Sequence, residues 1–438
     1  MRESAPAYLG LKILFGARST GTSSKTSKHL IGAILGIGLS LVPLITVIQV
    51  SGGLIEGITR RFIEIGSYHL QVKTYSPLAE EERTTALENV AGVDGVRNAF
   101  PTVFGEGLVY SPKGKTGVSV RALPQDYYTS DEGIREFLSI DAGKFQLVSK
   151  QDAMLSSQVA EKLEVSVGDR IRLLTAKSVP GRAPILRPSF FTVRGIFSTG
   201  YYELDALSMY IPLDSGKILF NEPGSHIIAV KLEKPYQEAQ KVAQTLMQKL
   251  SNDWYVYTWY NLERPMLDSF RTTRNLLIFV MALIVLVASV NISSSMIMLV
   301  IEKEPEIAML KSVGVRPHTI TKSFLYTGIW IGTAATLVGV SIGLMAAVHI
   351  NSLLSGLERS LNLMYRGFEL LFSPIRDVDS ENIKVFDESF YLETIPIRIE
   401  FFEIFLTGAG TMLASTLAAY FPARRAGKIK PLEILRKH

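Results

Sequence analysis

Four long stretches of the sequence contain no aspartate, glutamate, lysine or arginine. A helix of about 20 residues crosses a bilayer core of about 30 Å, and charged side chains within that core are costly. Each stretch is long enough for one crossing, so we predict four transmembrane helices. The uncharged stretches lie between Lys28 and Glu56, between Arg274 and Glu302, between Lys322 and Glu358, and between Glu403 and Arg424.

These stretches divide the chain into membrane helices and the segments between them. The predicted transmembrane helices are 29–54, 275–301, 324–350 and 402–421. The predicted fold class is an α-helical membrane protein with a large α/β domain inserted between the first and second helices. The remaining segments are the N-terminal segment 1–28, the insert 55–274, the loops 302–323 and 351–401, and the tail 422–438.

The distribution of lysine and arginine predicts the orientation, because loops on the cytoplasmic side carry an excess of both. The segment 351–401 is acidic, whereas both chain ends are basic. We therefore expect both termini in the cytoplasm and the insert on the exported side. The basic residues of the two ends are Arg2, Lys12, Arg18, Lys25 and Lys28, and Arg424, Arg425, Lys428, Lys430, Arg436 and Lys437.

The insert has the alternating patterns of a mixed α/β domain. Amphipathic helices are predicted near 78–91 and 235–250, on either side of a strand-rich middle. This arrangement favours an outer lobe interrupted by a second, mostly β lobe. The clearest strand patterns are Tyr68–Tyr75, Val118–Leu123, Arg170–Thr175 and Phe190–Phe197.

The apolar pattern of the first span continues beyond the predicted membrane boundary. Leu54, Ile58 and Phe62 fall on one helical face, and Met266 and Phe270 show a similar pattern before the second span. Two membrane helices that continue outward as a stalk would produce this spacing. Ordinary packing of a helix against the insert would produce it equally well.

Composition argues against several classes of protein. The net charge of +5 is too small to indicate nucleic-acid binding, and the absence of cysteine excludes thiol chemistry. The six histidines share no metal-ligand spacing. Gly114-Lys115-Thr116 resembles the end of a phosphate-binding loop, but Val109 stands where the first glycine should be, so a hairpin turn is the better interpretation. We predict a non-enzymatic chain.

The segment from Glu302 to Gly314 has the features of a short, well-capped helix. Pro305 falls in the first turn with acids around it, Lys311 is near the end, and Gly314 follows. Ile307, Leu310 and Val313 give the helix apolar groups near one face. A short helix beneath a membrane is suited to docking into a groove on a soluble partner.

Small residues at four-residue spacing predict close approach of the membrane helices. Packing within the chain and contact with a second subunit both fit this pattern. Gln49 and Asn291 are polar groups at membrane depth, where we expect hydrogen bonds to neighbouring helices. The small residues are Gly328, Gly332, Ala335, Gly339 and Gly343 in the third span, and Gly32, Gly36 and Ser40 in the first.

Several segments, taken in order, resemble the lipoprotein-releasing permeases of the LolC/LolE type, within the FtsX and MacB-like superfamily. The resemblance covers nearly the whole chain. Besides the 302–314 segment, it is carried by Gly53-Leu54-Ile55-Glu56-Gly57, Val167-Gly168-Asp169-Arg170-Ile171, Phe191-Thr192-Val193-Arg194-Gly195-Ile196-Phe197, Phe390-Tyr391-Leu392-Glu393-Thr394-Ile395-Pro396 and Phe421-Pro422-Ala423-Arg424-Arg425-Ala426.

The resemblance implies four transmembrane helices with a two-lobed, MacB-like periplasmic domain after the first. It implies a second permease subunit, the same or related, and a cytoplasmic ABC ATPase dimer that binds ATP and magnesium, so that this chain itself binds no cofactor and no metal. The cargo would be a lipoprotein of the inner membrane, passed to a soluble periplasmic lipoprotein carrier. Nucleic acid is not an expected partner.

The resemblance also implies three functional sites. The ATPase-coupling helix would use Glu302, Glu304, Glu306, Ile307, Leu310, Lys311 and Gly314. The carrier-binding hook would use Pro180, Gly181, Arg182 and Pro184, with Arg172 and Arg187 as a basic pad. The lipid-facing stalk would use Leu54, Ile58, Phe62 and Phe270.

The chain departs from the family pattern at two positions. Pro305 stands where relatives often carry a basic residue, so one electrostatic contact with the ATPase would be missing. Leu186 replaces a polar residue of the pad, and an ordinary hairpin loop is the alternative interpretation of the hook.

Two other functions fit the same architecture. One is a MacB-like efflux permease that moves a small molecule or peptide. The other is an FtsX-like signalling protein that activates a cell-wall hydrolase without moving cargo. Only lipoprotein release predicts ATP-dependent transfer of a lipoprotein to a carrier.

Overall fold

A computed structural model describes Tyr8 and residues 23–76, 79–177, 185–222, 224–372 and 396–430. The chain divides into two compact units, which are described separately below. Unit one comprises Met1–Gly53, Arg271–Phe368 and Pro396–His438, and unit two comprises Leu54–Phe270 and Glu369–Ile395.

The helices of the chain vary from single turns to very long rods. In chain order they are α1 (Ser23–Arg61), α2 (Glu80–Ala91), α3 (Tyr127–Ser130), α4 (Glu132–Phe137), α5 (Ser157–Leu163), α6 (Tyr202–Asp205), α7 (Leu213–Leu219), α8 (Pro235–Lys249), α9 (Trp259–Leu262), α10 (Arg264–Glu302), α11 (Glu304–Ser312), α12 (Pro317–Val348), α13 (Ile350–Phe372) and α14 (Phe401–Lys428). A π-helical turn, Phe62–Gly66, follows α1 directly.

Within the described part of the chain, all strands belong to unit two. They are β1 (Leu70–Thr74), β2 (Val96–Tyr110), β3 (Lys115–Leu123), β4 (Ser139–Gly143), β5 (Asp152–Ser156), β6 (Arg170–Lys177), β7 (Ile185–Ser198), β8 (Ser208–Pro212), β9 (His226–Leu232) and β10 (Trp254–Thr258).

Unit one contains helices that are long and apolar enough to cross a membrane. Among the described residues, four segments meet this criterion by length and composition: Ile34–Gly66, Arg264–Glu302, Pro317–Val348 and Phe401–Lys428. Each includes most of a stretch predicted from the sequence. Their mutual contacts form one apolar core, and many large apolar side chains face outward, as a lipid-facing surface requires.

Two glycines of α12 allow α14 to approach closely. A Cβ atom added at Gly328 would lie 2.5 Å from the Cβ of Ala419, and one at Gly332 would lie 2.8 Å from the Cβ of Ser415. Both distances are shorter than carbon atoms tolerate. The small residues of the third span therefore mediate packing within the chain.

The other end of the same glycine row packs against α1. A Cβ atom added at Gly339 would lie 2.7 Å from the Cβ of Leu41 and 2.8 Å from the carbonyl oxygen of Gly38. Gln49 of α1 accepts a hydrogen bond from the backbone N–H of Glu400 at 2.9 Å, which confirms its expected contact. The side chain of Asn291 is exposed on α10, and its predicted hydrogen bond stays a prediction.

Gly332→Ala should destabilise the packing of α12 on α14 by about 1–3 kcal/mol, because the added methyl group overfills a closed contact. The matched control is Gly410→Ala on α14, where an added Cβ meets nothing within 4 Å. Thermal unfolding of the two variants in the same detergent measures the difference. Equal midpoints would contradict the close packing.

Unit two is built on a single sheet. The hydrogen-bonded order is β10-β1-β9-β2-β3-β8-β5-β7-β4, with β6 paired to both β2 and β7. The pairs β3–β8 and β5–β7 are parallel, and the other pairs are antiparallel. The strands of the two predicted lobes thus form one hydrogen-bonded sheet, against which several apolar cores pack.

The first of these cores lies under the helices predicted from their amphipathic pattern. In α8 the buried residues Ala239, Val242, Ala243 and Leu246 recur at helical spacing, and they pack with Val90 of α2 against β1, β9 and β10. The second core joins β2, β3 and β5–β8 with α5.

Two local predictions meet different outcomes. The Gly114 segment closes the hairpin between β2 and β3, where Tyr110 pairs with Lys115 and the N–H of Ser111 donates to the carbonyl of Gly114. The hairpin interpretation of this segment is therefore confirmed. The predicted loop 351–401, by contrast, begins with a helix of 23 residues, α13.

Candidate functional site

Helix α11 presents one buried face and one exposed face. Ile307 and Ala308 are buried in the core of unit one. On the opposite side, Met309, Leu310 and Val313 are exposed at 55%, 37% and 87%. Of the predicted apolar contacts, Leu310 and Val313 are therefore available to a partner, whereas Ile307 holds the helix in place.

The ends of α11 are fixed by local interactions. At the start, Pro305 lies in the first turn, and Lys303 pairs with Glu306 at 2.5 Å. At the end, Gly314 has a φ of +94°, a conformation that glycine adopts without steric cost. Glu304 adds a second acid near the positive end of the helix dipole. Glu302 is the last residue of α10 rather than part of α11.

Lys311 fastens α11 to the end of α14. Its ammonium group donates to the carbonyl oxygens of Gly427 at 3.0 Å and Ile429 at 2.5 Å. A lysine at this place satisfies the free carbonyls of a helix C-terminus and interacts favourably with its dipole. Lys311 therefore links α11 directly to the last helix.

The predicted hook lies outside the described residues, at positions 178–184. The strands on either side of it are described: β6 and β7 pair from Arg170 with Thr192 to Lys177 with Ile185. Pro180, Gly181, Arg182 and Pro184 therefore stay a sequence-based prediction.

The register of this hairpin separates the two arginines of the predicted pad. Arg172 pairs with Phe190, whereas Arg187 pairs with Thr175. Because side chains alternate between faces along a strand, Arg172 and Arg187 lie on opposite faces of the hairpin. They do not form one continuous basic pad.

The face that carries Arg172 is partly apolar. The Arg172 guanidinium lies over the ring of Phe190 at 5.1 Å, and Phe190 and Leu186 are 55% and 64% exposed. Exposed aromatic rings and arginine are the residues most enriched at protein interfaces. Phe190 is a candidate contact that the sequence analysis missed, although its alternation with the buried Phe191 could have revealed it.

The predicted stalk face forms a packed cluster in unit two. Ile58 is buried with Tyr201 and Leu204, and Leu54, Phe62, Met266 and Phe270 pack around them. The rings of Phe62 and Tyr201 meet edge to face at 5.7 Å between centroids. Both interpretations of the spacing fit the structure: α1 continues to Arg61 and α10 begins at Arg264, beyond the predicted membrane boundaries, and the same face packs within unit two. Leu54, Phe62 and Phe270 remain partly exposed, whereas Ile58 is buried, so their predicted contact with an acyl chain stays a prediction.

A buried network of charges holds the π-helical turn that follows α1. Lys231 of β9 is fully buried, and its ammonium group donates to the carbonyl oxygen of Glu64 at 2.5 Å and pairs with the Glu64 carboxylate. It also lies 3.5 Å from a carboxylate oxygen of Asp131, which binds Arg97 at 2.7 Å. His69 contacts the second oxygen of Glu64 at 2.9 Å.

The pKa of Glu64 reflects this pairing. Burial alone would raise it, but the hydrogen bond with His69 and the charge of Lys231 lower it to about 2. Burial lowers the pKa of Lys231, and the carboxylates of Glu64 and Asp131 oppose that effect. Arg121 of β3 donates to the carbonyl oxygen of Ile65 in the same turn. The end of α1 is therefore fastened to the sheet.

Asp205 gives unit two a predicted pH dependence. Burial raises its pKa to about 6, although hydrogen bonds from Thr199 and Ser198 act in the opposite direction. The unfolded value is about 3.9, so the folded unit binds this proton more tightly. Its contribution to stability should therefore decrease as the pH rises from about 4 to about 6.

Asp205→Asn should remove that slope, whatever it does to the stability itself. The thermal midpoint of the purified protein, measured across this pH range, tests the difference. Asp214→Asn, at an exposed position of α7, is the control and should leave the slope unchanged. An unaltered slope in the Asp205 variant would show that another group carries the pH dependence.

No group of three or more histidine, aspartate or glutamate side chains that could hold a metal ion occurs among the described residues.

Two protein families match successive parts of the chain. Residues 30–246 match the MacB-like periplasmic core domain, and residues 278–431 match the FtsX-like permease C-terminal domain. The first match includes most of α1 and the sheet through β9, and the second includes most of α10 and all of α11, α12, α13 and α14. Together with the apolar helices, these matches define an ABC transporter permease with a MacB-like periplasmic domain.

Curated relatives match almost the entire chain. The lipoprotein-releasing system transmembrane protein LolC of Neisseria meningitidis serogroup B is 25% identical over 99% of both chains. LolC of Xylella fastidiosa is 25% identical over 98% of both, and LolE of Haemophilus influenzae is 22% identical over 92% of this chain and 93% of its own. The chain belongs to the permeases of the LolC/LolE type.

Proposed function

We propose that this chain is the permease subunit of a complex that extracts lipoproteins from the inner membrane and delivers them to a periplasmic carrier. The family relationship supports this function, because relatives along the entire chain are lipoprotein-releasing system proteins. ATP hydrolysis takes place on a separate cytoplasmic ABC ATPase dimer, which supplies the nucleotide and magnesium sites.

The observation that carries the proposal is the exposed apolar face of α11. Met309, Leu310 and Val313 form this face on a helix whose other side is fixed by Ile307 and Lys311. Exposed apolar side chains on a rigidly held helix suit insertion into a groove of a partner. We infer that the ATPase docks here and that Lys311 passes its movement to α14.

The proposed topology has four transmembrane helices, both termini in the cytoplasm and the insert in the periplasm. It supports the function because α11 then faces the ATPase while β6 and β7 face the carrier. A second permease chain, the same or related, would complete the membrane part of the complex. Reporter fusions test this orientation: a fusion after Lys249 should report the periplasm, and one after Lys430 should report the cytoplasm.

The carrier would bind at the hook of residues 178–184, together with the exposed hairpin face of Arg172 and Phe190. Deleting residues 176–185 should abolish capture of the carrier in a pull-down while leaving assembly with the ATPase intact. Phe190→Ala should weaken capture, and Arg187→Ala, on the opposite face of the hairpin, is the matched control. Full capture by the deletion variant would remove the hook from the proposal.

Transport in reconstituted vesicles tests the function itself. Vesicles that contain the complex and a lipoprotein should lose that lipoprotein to added carrier only when ATP is hydrolysed. ATPase turnover without transfer of lipoprotein would contradict the proposed function.

A further inference from the structure

Helix α13 begins where the membrane-spanning helix α12 ends. Helix α12 ends at Val348, and α13 begins at Ile350, so only His349 separates them. Helix α11 precedes the other end of α12. If α12 crosses the membrane, as proposed above, the first turn of α13 therefore lies at the membrane surface opposite to α11.

The sequence of α13 is amphipathic but too polar to cross a membrane. Glu358, Arg359 and Arg366 interrupt its apolar residues, and α13 is not among the four helices that meet the criterion for a span. The apolar residues recur at three- and four-residue spacing, which places them on one face. That apolar face consists of Ile350, Leu353, Leu354, Leu357, Leu361, Met364 and Tyr365.

The apolar face of α13 is largely open. Leu353 is 51% exposed, Leu357 is 49% exposed and Met364 is 72% exposed. Exposing a continuous row of large apolar side chains to water is unfavourable by roughly 25 cal/mol per Å².

We propose that α13 lies flat in the interface of the bilayer, with its apolar face among the upper acyl chains and its arginines near the lipid phosphates. Amphipathic helices of this length bury their apolar face about 5–10 Å into the headgroup region. Direct continuity with α12 favours lipid over another protein as the occupant of this face. Arg359 and Arg366 fall on the side opposite to the apolar face, so they point toward the headgroups and water rather than toward the acyl chains.

The inference rests on the proposed crossing of the membrane by α12. It adds to that proposal a membrane-bound segment on the far side from the ATPase-docking helix. A helix held in this interface would anchor the end of α12 at a fixed depth.

The absence of cysteine from the chain allows single labels to be placed without background. Nitroxide labels at Leu357→Cys and Met364→Cys report the apolar face, and labels at Ser355→Cys and Arg359→Cys report the polar face. Leu337→Cys, an exposed position of α12, is the lipid control, and Lys113→Cys, in the hairpin between β2 and β3, is the aqueous control. The full-length protein is studied in vesicles of phosphatidylethanolamine and phosphatidylglycerol.

The measurement compares collisions of each label with oxygen, which concentrates in lipid, and with a water-soluble nickel chelate. We expect a several-fold excess of oxygen collisions at Leu357 and Met364 and an excess of nickel collisions at Ser355 and Arg359. Equal nickel access on both faces would overturn the proposal, as would exclusion of both reagents from the apolar face, which a second copy or bound lipoprotein would cause.

The Leu337 control distinguishes a failure of the placement of α13 from a failure of the proposed function. Lipid contact at Leu337 together with aqueous contact at Leu357 would overturn the placement of α13 alone. Aqueous contact at Leu337 would overturn the membrane crossing of α12, and the proposed function would fail with it.

Discussion

Lys231→Met should destabilise unit two by about 3–5 kcal/mol, the cost of breaking a buried ion pair by removing one partner. The variant leaves Glu64 buried without its ammonium partner and leaves the Glu64 carbonyl without the hydrogen bond of 2.5 Å. The π-helical turn after α1 should then separate from β9. Thermal unfolding of the purified protein, together with hydrogen exchange of the turn, measures both effects.

Lys241→Met on α8 is the control, because the Lys241 side chain is exposed. The double variant Lys231→Met with Glu64→Gln should be less destabilised than the sum of its single variants, since neutralising Glu64 removes the unpaired charge. Additive losses would show that Lys231 acts by filling space and not through its charge.

Replacing both Leu310 and Val313 by aspartate should abolish coupling to the ATPase. Both side chains are exposed, so the fold of unit one should not change. Each aspartate removes an apolar side chain that would otherwise be buried in the contact, so the favourable free energy of burying it is lost. We therefore expect the affinity for the ATPase to fall by roughly a hundredfold. Binding of the purified ATPase to the permease in detergent measures the loss.

The control for this variant is Ile218→Asp on α7, an exposed apolar side chain in unit two. It should leave the affinity for the ATPase unchanged. A double variant that still binds the ATPase at full strength would show that the exposed face of α11 is not the docking surface.

The elements that the sequence predicted well depend on short-range patterns. Uncharged apolar runs mark the long helices because the bilayer excludes charge. Pro305 and Gly314 mark the two ends of α11 because their backbone preferences are local. The hairpin at Gly114 follows from turn chemistry in the same way.

The features that the sequence did not reveal depend on residues far apart in the chain. Lys231 and Glu64 are separated by 167 positions, so no short-range pattern links the two residues. A lysine within the apolar strand His226–Leu232 is the single local sign of it. Likewise, the sequence does not reveal the hydrogen bonds of Lys311 within the chain, because its acceptors at Gly427 and Ile429 lie more than a hundred positions away.

The prediction that Arg172 and Arg187 form one basic pad failed for a different physical reason. Arg172 and Arg187 are close to the same turn, but the register of β6 and β7 decides which face each occupies, and a shift of one residue would reverse it. The helical part of the loop 351–401 was readable in principle, because the apolar spacing of α13 is regular. Its acidic composition and its place between two spans favoured a loop instead.

The most direct test of the account is transfer of a labelled lipoprotein from vesicles to the soluble carrier, with the complex reconstituted from this chain, its partner permease and the ATPase. With ATP, the labelled lipoprotein should appear on the carrier, and the Leu310→Asp, Val313→Asp variant should show no transfer above the level without ATP. Transfer that proceeds equally without ATP, or ATP hydrolysis that never moves lipoprotein to the carrier, would contradict the account.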